Sequence, residues 1–363
     1  MKLHGQRTTL ELTNNAGLFA TTPIAIGTPP QEFNAVIDIG ASDTFVPGPD
    51  CARHVLHCRS DAIYNPFASG TYKHDGRWIA IDRSDRYTVG TWAADVFRMG
   101  GVVIAKQVFE VVSAVERRIG AGLLPYDTVL GLAKENVRTA ESSLQTKSSF
   151  QLMVEQSALE RDIFGLKLPG ADGSKGTLTL GWVDETLNRG RRSARLPLIN
   201  SGAASSQHYP SGGWVVEATS LSLESENEEQ IVFHALSGYS AIFSTVEHFS
   251  KFPADFVYAL TKLLAVDHNG TVDCAKTKSA PAIVVSLPGT GASLNRLVIS
   301  PEDYIRAAPL QKGEAYGRCQ LAITPLHQDR DEPRQSITLG YSFLQRYYSV
   351  FDADARMISL VEL

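Results

Sequence analysis

The chain has 363 residues, 43% of them hydrophobic, with 34 Lys and Arg against 39 Asp and Glu for a net charge of −5. That length exceeds one ordinary hydrophobic core, so two lobes of about 150 to 200 residues are expected. The basic residues are scattered, which excludes an overall nucleic-acid footprint because neutralising phosphates needs clustered Lys and Arg.

In chain order, the amino end "MKLHGQRTTLELT" lacks the apolar core of a signal peptide, and no run of roughly 18 apolar residues follows that would predict a membrane-spanning helix. Short apolar runs rich in Val, Ile, Thr and aromatics come next: "GLFATTPIAIG", "EFNAVIDIG" and "VVIAKQVFEVVS", then "GTLTLGWV", "WVVEATSLSL", "AIVVSLP" and "LNRLVIS". They are bounded by Gly, Pro, Asn and Asp, as strands are. Helical spacing is confined to a few pieces, chiefly Ser148 to Leu159 and Pro253 to Val266, the latter with Pro253 at its start. The chain is therefore predicted to be mainly β with a few short helices. The polar, Gly- and Ser-rich passage from Asn188 to Gly213 marks the expected boundary, giving lobes 1–188 and 189–363. Its basic run "RGRRSAR" reads as a solvated loop, with a processing or partner site as the alternative.

Four cysteines fall as a close pair, Cys51 and Cys58, and a distant pair, Cys274 and Cys319, suggesting one disulfide in each half of an oxidised protein. The segment "CARHVLHC" also invites a zinc reading through His54 and His57, but its spacing is unusual for a closed tetrahedral site, and no metal or other cofactor is expected. Asn269-Gly270-Thr271 is the one glycosylation acceptor pattern.

A faint repeat joins the halves. "FNAVIDIGAS" and "IVFHALSGYS" both run from an apolar stretch into a small-residue turn, and each is followed by an "LG" element, "TVLGLA" and "ITLGYSFLQ". With "YNPFASGTY", "GTLTLGWVD", "GWVVEATSLSL", "LVISPEDYI" and "YYSVFDADARMISLV" in order, the chain resembles the pepsin family of aspartic proteases over almost its whole length. The resemblance implies two β-barrel-like lobes flanking a peptide-binding cleft, and one catalytic Asp per lobe sharing a proton. It also implies disulfides at the two cysteine pairs.

Carried over residue by residue, Asp38 matches the first catalytic aspartate. The hydroxyl residues expected after it are replaced by Ile39 and Ala41, while Gly40 is retained, consistent with a turn that needs no Cβ. In the second half Ser237, Gly238 and Ser240 align with the family's turn, which places Leu236 at the second aspartate. No Asp or Glu lies between Ile231 and Val246, and His234, one strand step of about 6.6 Å earlier, is too distant to substitute. Counting back from Gly90 puts the flap tyrosine at Arg83 and the flap glycines at Ser84 and Arg86, with Tyr87 as a replacement if the register shifts. Asp82, Arg83, Asp85 and Arg86 then make a charged hairpin.

The resulting expectation is a catalytically inactive, secreted, monomeric pepsin homologue whose signal and pro-segment are absent from this sequence. It would bind a peptide or protein through its cleft or surface, without nucleic acid or membrane. Two alternatives stand: an acid-pH endopeptidase with a non-standard site, and a leucine introduced by engineering.

Overall fold

In a computed structural model of the chain, the residues described are 5–15, 19–51, 62–82, 86–117, 126–134, 146–170, 172–199, 213–227, 229–290, 295–307, 317–326 and 335–363. The predicted strands form where the apolar runs lie, and their pairing sorts the chain into two units. The single division at 188/189 is corrected. The first unit comprises Met1–Thr186, Ser205–Trp214 and Ser349–Arg356, the second Leu187–Ala204, Val215–Tyr348 and Met357–Leu363.

In the first unit the strands are β1 (Thr8–Asn15), β2 (Phe19–Ile26), β3 (Gln31–Asp38), β4 (Phe45–Pro47), β5 (Lys73–Asp82), β6 (Arg86–Met99), β7 (Val102–Arg117), β8 (Thr128–Gly131), β9 (Ile163–Lys167) and β10 (Gly176–Leu180). β3 runs antiparallel to β2 and parallel to β8. Flanked on both sides, it is buried along its last four residues, which is why "AVI" reads as a continuous apolar run and not as an alternation. β5, β6 and β7 form a long antiparallel meander, and β4 joins β7 in parallel. The helix Ser149–Glu155 starts on a capping box in which Ser148 and Gln151 satisfy each other's backbone N–H groups. Its Phe150 packs edge-on to Phe164, with ring centroids 5.0 Å apart, and Phe164 stacks on Phe351 at 4.7 Å. Trp214 completes this aromatic core and donates its indole N–H to the Leu132 carbonyl at 2.8 Å, just beyond β8.

The second unit holds β11 (Ser193–Pro197), β12 (Val215–Glu217), β13 (Ser220–Glu224), β14 (Gln230–Ala235), β15 (Ser240–Phe243), β16 (Ser250–Phe252), β17 (Thr271–Asp273), β18 (Ala282–Ser286), β19 (Arg296–Ile299), β20 (Ile305–Ala307), β21 (Arg318–Leu321), β22 (Ile323–Pro325), β23 (Ser336–Leu339), the start of β24 (Tyr347–Asp352) and β25 (Met357–Glu362). Among the described residues three sheets lie wholly within this unit, ordered β12-β15-β23-β16-β22, β14-β13-β18-β19 and β17-β21-β20. The helix Ala254–Leu264 follows Pro253 and buries Phe256, Val257, Leu260 and Leu264, the spacing seen in the sequence. The passage read as a linker contains a strand after all. "SARLP" pairs with β25, and Arg191 donates to the Glu362 carbonyl, so part of the basic run is tied to the chain's last strand.

Candidate active site

Asp38 ends β3, opposite Gly131 in the parallel ladder with β8. The Gly40 N–H donates to Asp38 Oδ1 at 2.8 Å, while the Leu132 N–H donates to the Asp38 carbonyl at 2.8 Å. The carboxylate is thus held in a tight turn, 9% exposed, and Ile39 and Ala41 are buried beside it. Gly131 explains how the two segments approach. A Cβ there would lie 2.6 Å from the Ala41 carbonyl oxygen, so only glycine fits.

The same construction recurs in the second unit, but not at Leu236. β15 runs antiparallel to β12 and parallel to β23, as β3 does to β2 and β8. Its register brings Phe243 opposite Leu339, and the Ser244 N–H donates to the Leu339 carbonyl at 3.0 Å. Ser244 therefore reaches Gly340 as Asp38 reaches Gly131. A Cβ on Gly340 would lie 2.7 Å from the carbonyl oxygens of Glu247 and Phe249, which follow Ser244 at the spacings by which Ala41 and Asp43 follow Asp38. The hydrogen bonding of the turn is also repeated, since the Val246 and Glu247 N–H groups donate to Ser244 Oγ at 3.4 and 3.0 Å. The residue corresponding to Asp38 is Ser244, and "DIGA" corresponds to "STVE". Thr245 supplies the hydroxyl residue that Ile39 lacks.

The expectation that Leu236 holds this position is corrected. The Leu236 N–H donates to Thr219 at 2.8 Å, the Tyr239 N–H closes a turn on the Leu236 carbonyl at 3.0 Å, and Gly238 sits at φ +81° within it. This turn carries the chain from β14 into β15. Leu236 is fully buried, Ser237 and Gly238 are exposed, and Ser240 opens β15 with its hydroxyl 2.6 Å from that of Ser336. A small-residue turn resembling the first one thus lies one short strand too early. Glu247, just beyond the stretch scanned for acids, carries a carboxylate 2.9 Å from the Lys251 ammonium.

In the flap, Arg83, Ser84 and Asp85 lie outside the described residues, while Tyr87 is partly exposed at the start of β6. Arg86 does not add to an exposed charged hairpin. It is 3% exposed, its guanidinium lies over the Phe45 ring at 4.9 Å, and it reaches Asp43 at 3.6 Å. Glu110, fully buried on β7, accepts from the Thr88 hydroxyl at 2.7 Å. Burial pushes its carboxyl up to about 7, against the opposing pull of the Thr88 hydrogen bond and the Arg86 charge. Asp43, Arg86 and Glu110 form a buried charge cluster tying the start of β6 to the segment that leaves the Asp38 turn. Each is an unremarkable polar residue in the sequence; only the buried registers of β4 and β7 flanking them could have hinted at it.

The remaining candidates separate. His234 is tied to the helix start by a 3.2 Å contact with Asp255 and packs on Phe256. Cys274 and Cys319 are bonded to each other, and Cys51 is disulfide-bonded, while Cys58, His54 and His57 lie outside the described residues. Asn269 is exposed in a turn organised by Asp267. Among the described residues no three His, Cys, Asp or Glu side chains are grouped to hold a metal ion, and no helix is long and apolar enough to cross a membrane.

A sequence profile of the eukaryotic aspartyl protease family matches residues 20–363. The chain is 27% identical to the probable vacuolar protease A of Arthroderma benhamiae, over 93% of this chain and 77% of that protein. It is 27% identical to the vacuolar aspartic protease of Candida albicans, over 96% and 76%, and 28% identical to pregnancy-associated glycoprotein 6 of Ovis aries, over 96% and 83%.

Proposed function

The chain belongs to the eukaryotic aspartyl protease family, and we propose that it is a member that has lost peptide cleavage and binds a peptide or protein partner instead. The observation that carries this reading is Ser244 at the position corresponding to Asp38. Aspartic proteolysis needs two carboxylates sharing one proton, so that one acts as base towards water while the other remains an acid. A serine hydroxyl held by two backbone N–H groups supplies neither role. Because such groups act as a unit, losing one removes most of the acceleration. A chain that no longer cuts can still hold an extended peptide, because strand-like backbone hydrogen bonding gives affinity without chemistry. The bonded cysteines support residence in an oxidising compartment, and we propose secretion.

A second reading, acid endopeptidase activity from a non-standard site, is favoured by Glu247, a carboxylate in the turn that follows Ser244. One assay separates the two. Unfolded casein is incubated at pH 3 to 6 with the wild type, Asp38→Asn and Glu247→Gln. We expect the wild type to cleave no faster than Asp38→Asn. Cleavage that disappears in both variants would establish the second reading. Binding is measured in parallel by passing a random-sequence peptide mixture over the immobilised chain and sequencing what is retained. A retained fraction no different from that on an unrelated β protein would sink the binding role.

A further inference from the structure

We propose that a concavity on the β5-β6-β7 meander, within the first unit, is a binding site for acidic peptide segments. It goes beyond the reading above and holds whether or not the chain cleaves. The concavity has a volume of about 410 Å³, within the range of small-ligand pockets, and is lined by Lys73, Arg77, Lys106 and Lys147 against the single carboxylate of Asp75. Such a surplus of cations is a local inversion on a chain whose net charge is −5.

The pairing of these charges narrows the site to two of them. Arg77 forks onto Asp75, with its NH2 nitrogen 2.6 Å from Oδ2, and Lys147 reaches Glu155 at 2.7 Å. Lys73 and Lys106 form no ion pair among the described residues, and both are exposed. They flank one trough because of strand register. Lys73 lies opposite Ala94, Ala94 lies opposite Val108, and Lys106 follows on the same side of β7. The small side chain of Ala94, on the same face as Val108, leaves space between them.

Its apolar walls come from Trp92, Val108 and Leu152, and among the described residues the buried Trp92 Nε1–H has no acceptor. Two uncompensated ammonium groups across an apolar trough fit carboxylate side chains flanking an aliphatic one. A bare anion would use the rim and leave the trough empty.

The test is calorimetric titration of the full chain with the capped pentapeptide Glu-Glu-Leu-Glu-Glu, its Lys-Lys-Leu-Lys-Lys counterpart and inorganic phosphate. The acidic peptide should bind saturably and weaken several-fold between 50 and 200 mM salt. The Lys73→Glu/Lys106→Glu variant should lose at least tenfold in affinity and the Arg/Arg variant should retain it, both with unchanged thermal melts. The proposal is overturned by absent binding, by equal binding in the charge-reversed variant, by equal binding of the basic peptide, or by phosphate competing at the peptide's own concentration. If the charge-reversed variant melts early, Lys106→Gln alone replaces it, and an unchanged affinity there is equally adverse.

Discussion

Leu236 and Ser244 occupy environments that predict opposite responses to the same substitution. Leu236 is fully buried in the second unit, so Leu236→Asp places a carboxylate in an apolar core and should cost about 3–5 kcal/mol. Ser244 is partly exposed and already accepts from two backbone N–H groups, so Ser244→Asp should change stability by no more than about 1 kcal/mol. Urea unfolding of the two variants checks the assignment directly, since the reverse order would return Leu236 to the active-site turn. In the sequence the two residues could not be told apart on chemistry. "LSGYS" carries a glycine and two serines at the family's spacing, whereas "STVEH" keeps one Thr and loses the glycine.

At the scale of elements, the flap meander is fastened by charge and the two ladders by glycine. Arg86→Leu removes a buried cation beside the buried Asp43 and Glu110 and should destabilise by about 3–5 kcal/mol. Adding Glu110→Gln should recover part of that loss, and a double-mutant cycle with strictly additive effects would show that the three residues do not act together. Gly340→Ala forces a methyl group to within 2.7 Å of two carbonyl oxygens and should cost about 1–3 kcal/mol, with Gly131→Ala behaving likewise. The meander strands and the helix after Pro253 were legible because their signals are local: turn residues, β-branched runs and apolar residues three and four apart. Strand β11 was not, since "SARLP" is short and polar and becomes a strand only by pairing with β25.

For the molecule as a whole, pH acts in opposite senses through the buried Glu110 and the half-buried His248. The Glu110 carboxyl is raised to about 7, so the stability it contributes is complete below its ordinary value near 4.5 and is lost as pH rises through 7. That loss amounts to about 3 kcal/mol. Burial and the Arg306 charge hold His248 down at about 4, so its contribution is present above pH 6.5 and is lost as pH falls through 4. Denaturant unfolding across pH 4 to 8 should therefore show Glu110→Gln most improved at the neutral end. The wild type and that variant should converge at the acid end, and a constant offset would refute the assignment of the slope to Glu110. The Cys274–Cys319 bridge closes a loop with a sequence separation of 45, and replacing both cysteines by serine should cost about 2–4 kcal/mol in the second unit.

The sequence by itself determined the β class, the duplicated plan and the family, because these rest on local apolar runs, turn residues and their collinear order. From the resemblance alone the partner of Asp38 fell on Leu236, with no Asp or Glu between Ile231 and Val246. Only the tertiary structure decided which residue stands in its place. That choice is made by β23, whose parallel register on β15 is set some 96 residues downstream by a glycine that admits a backbone where no side chain could fit. The burial of Arg86 was decided in the same way, since a charge becomes an internal strut only when strands distant in sequence close around it.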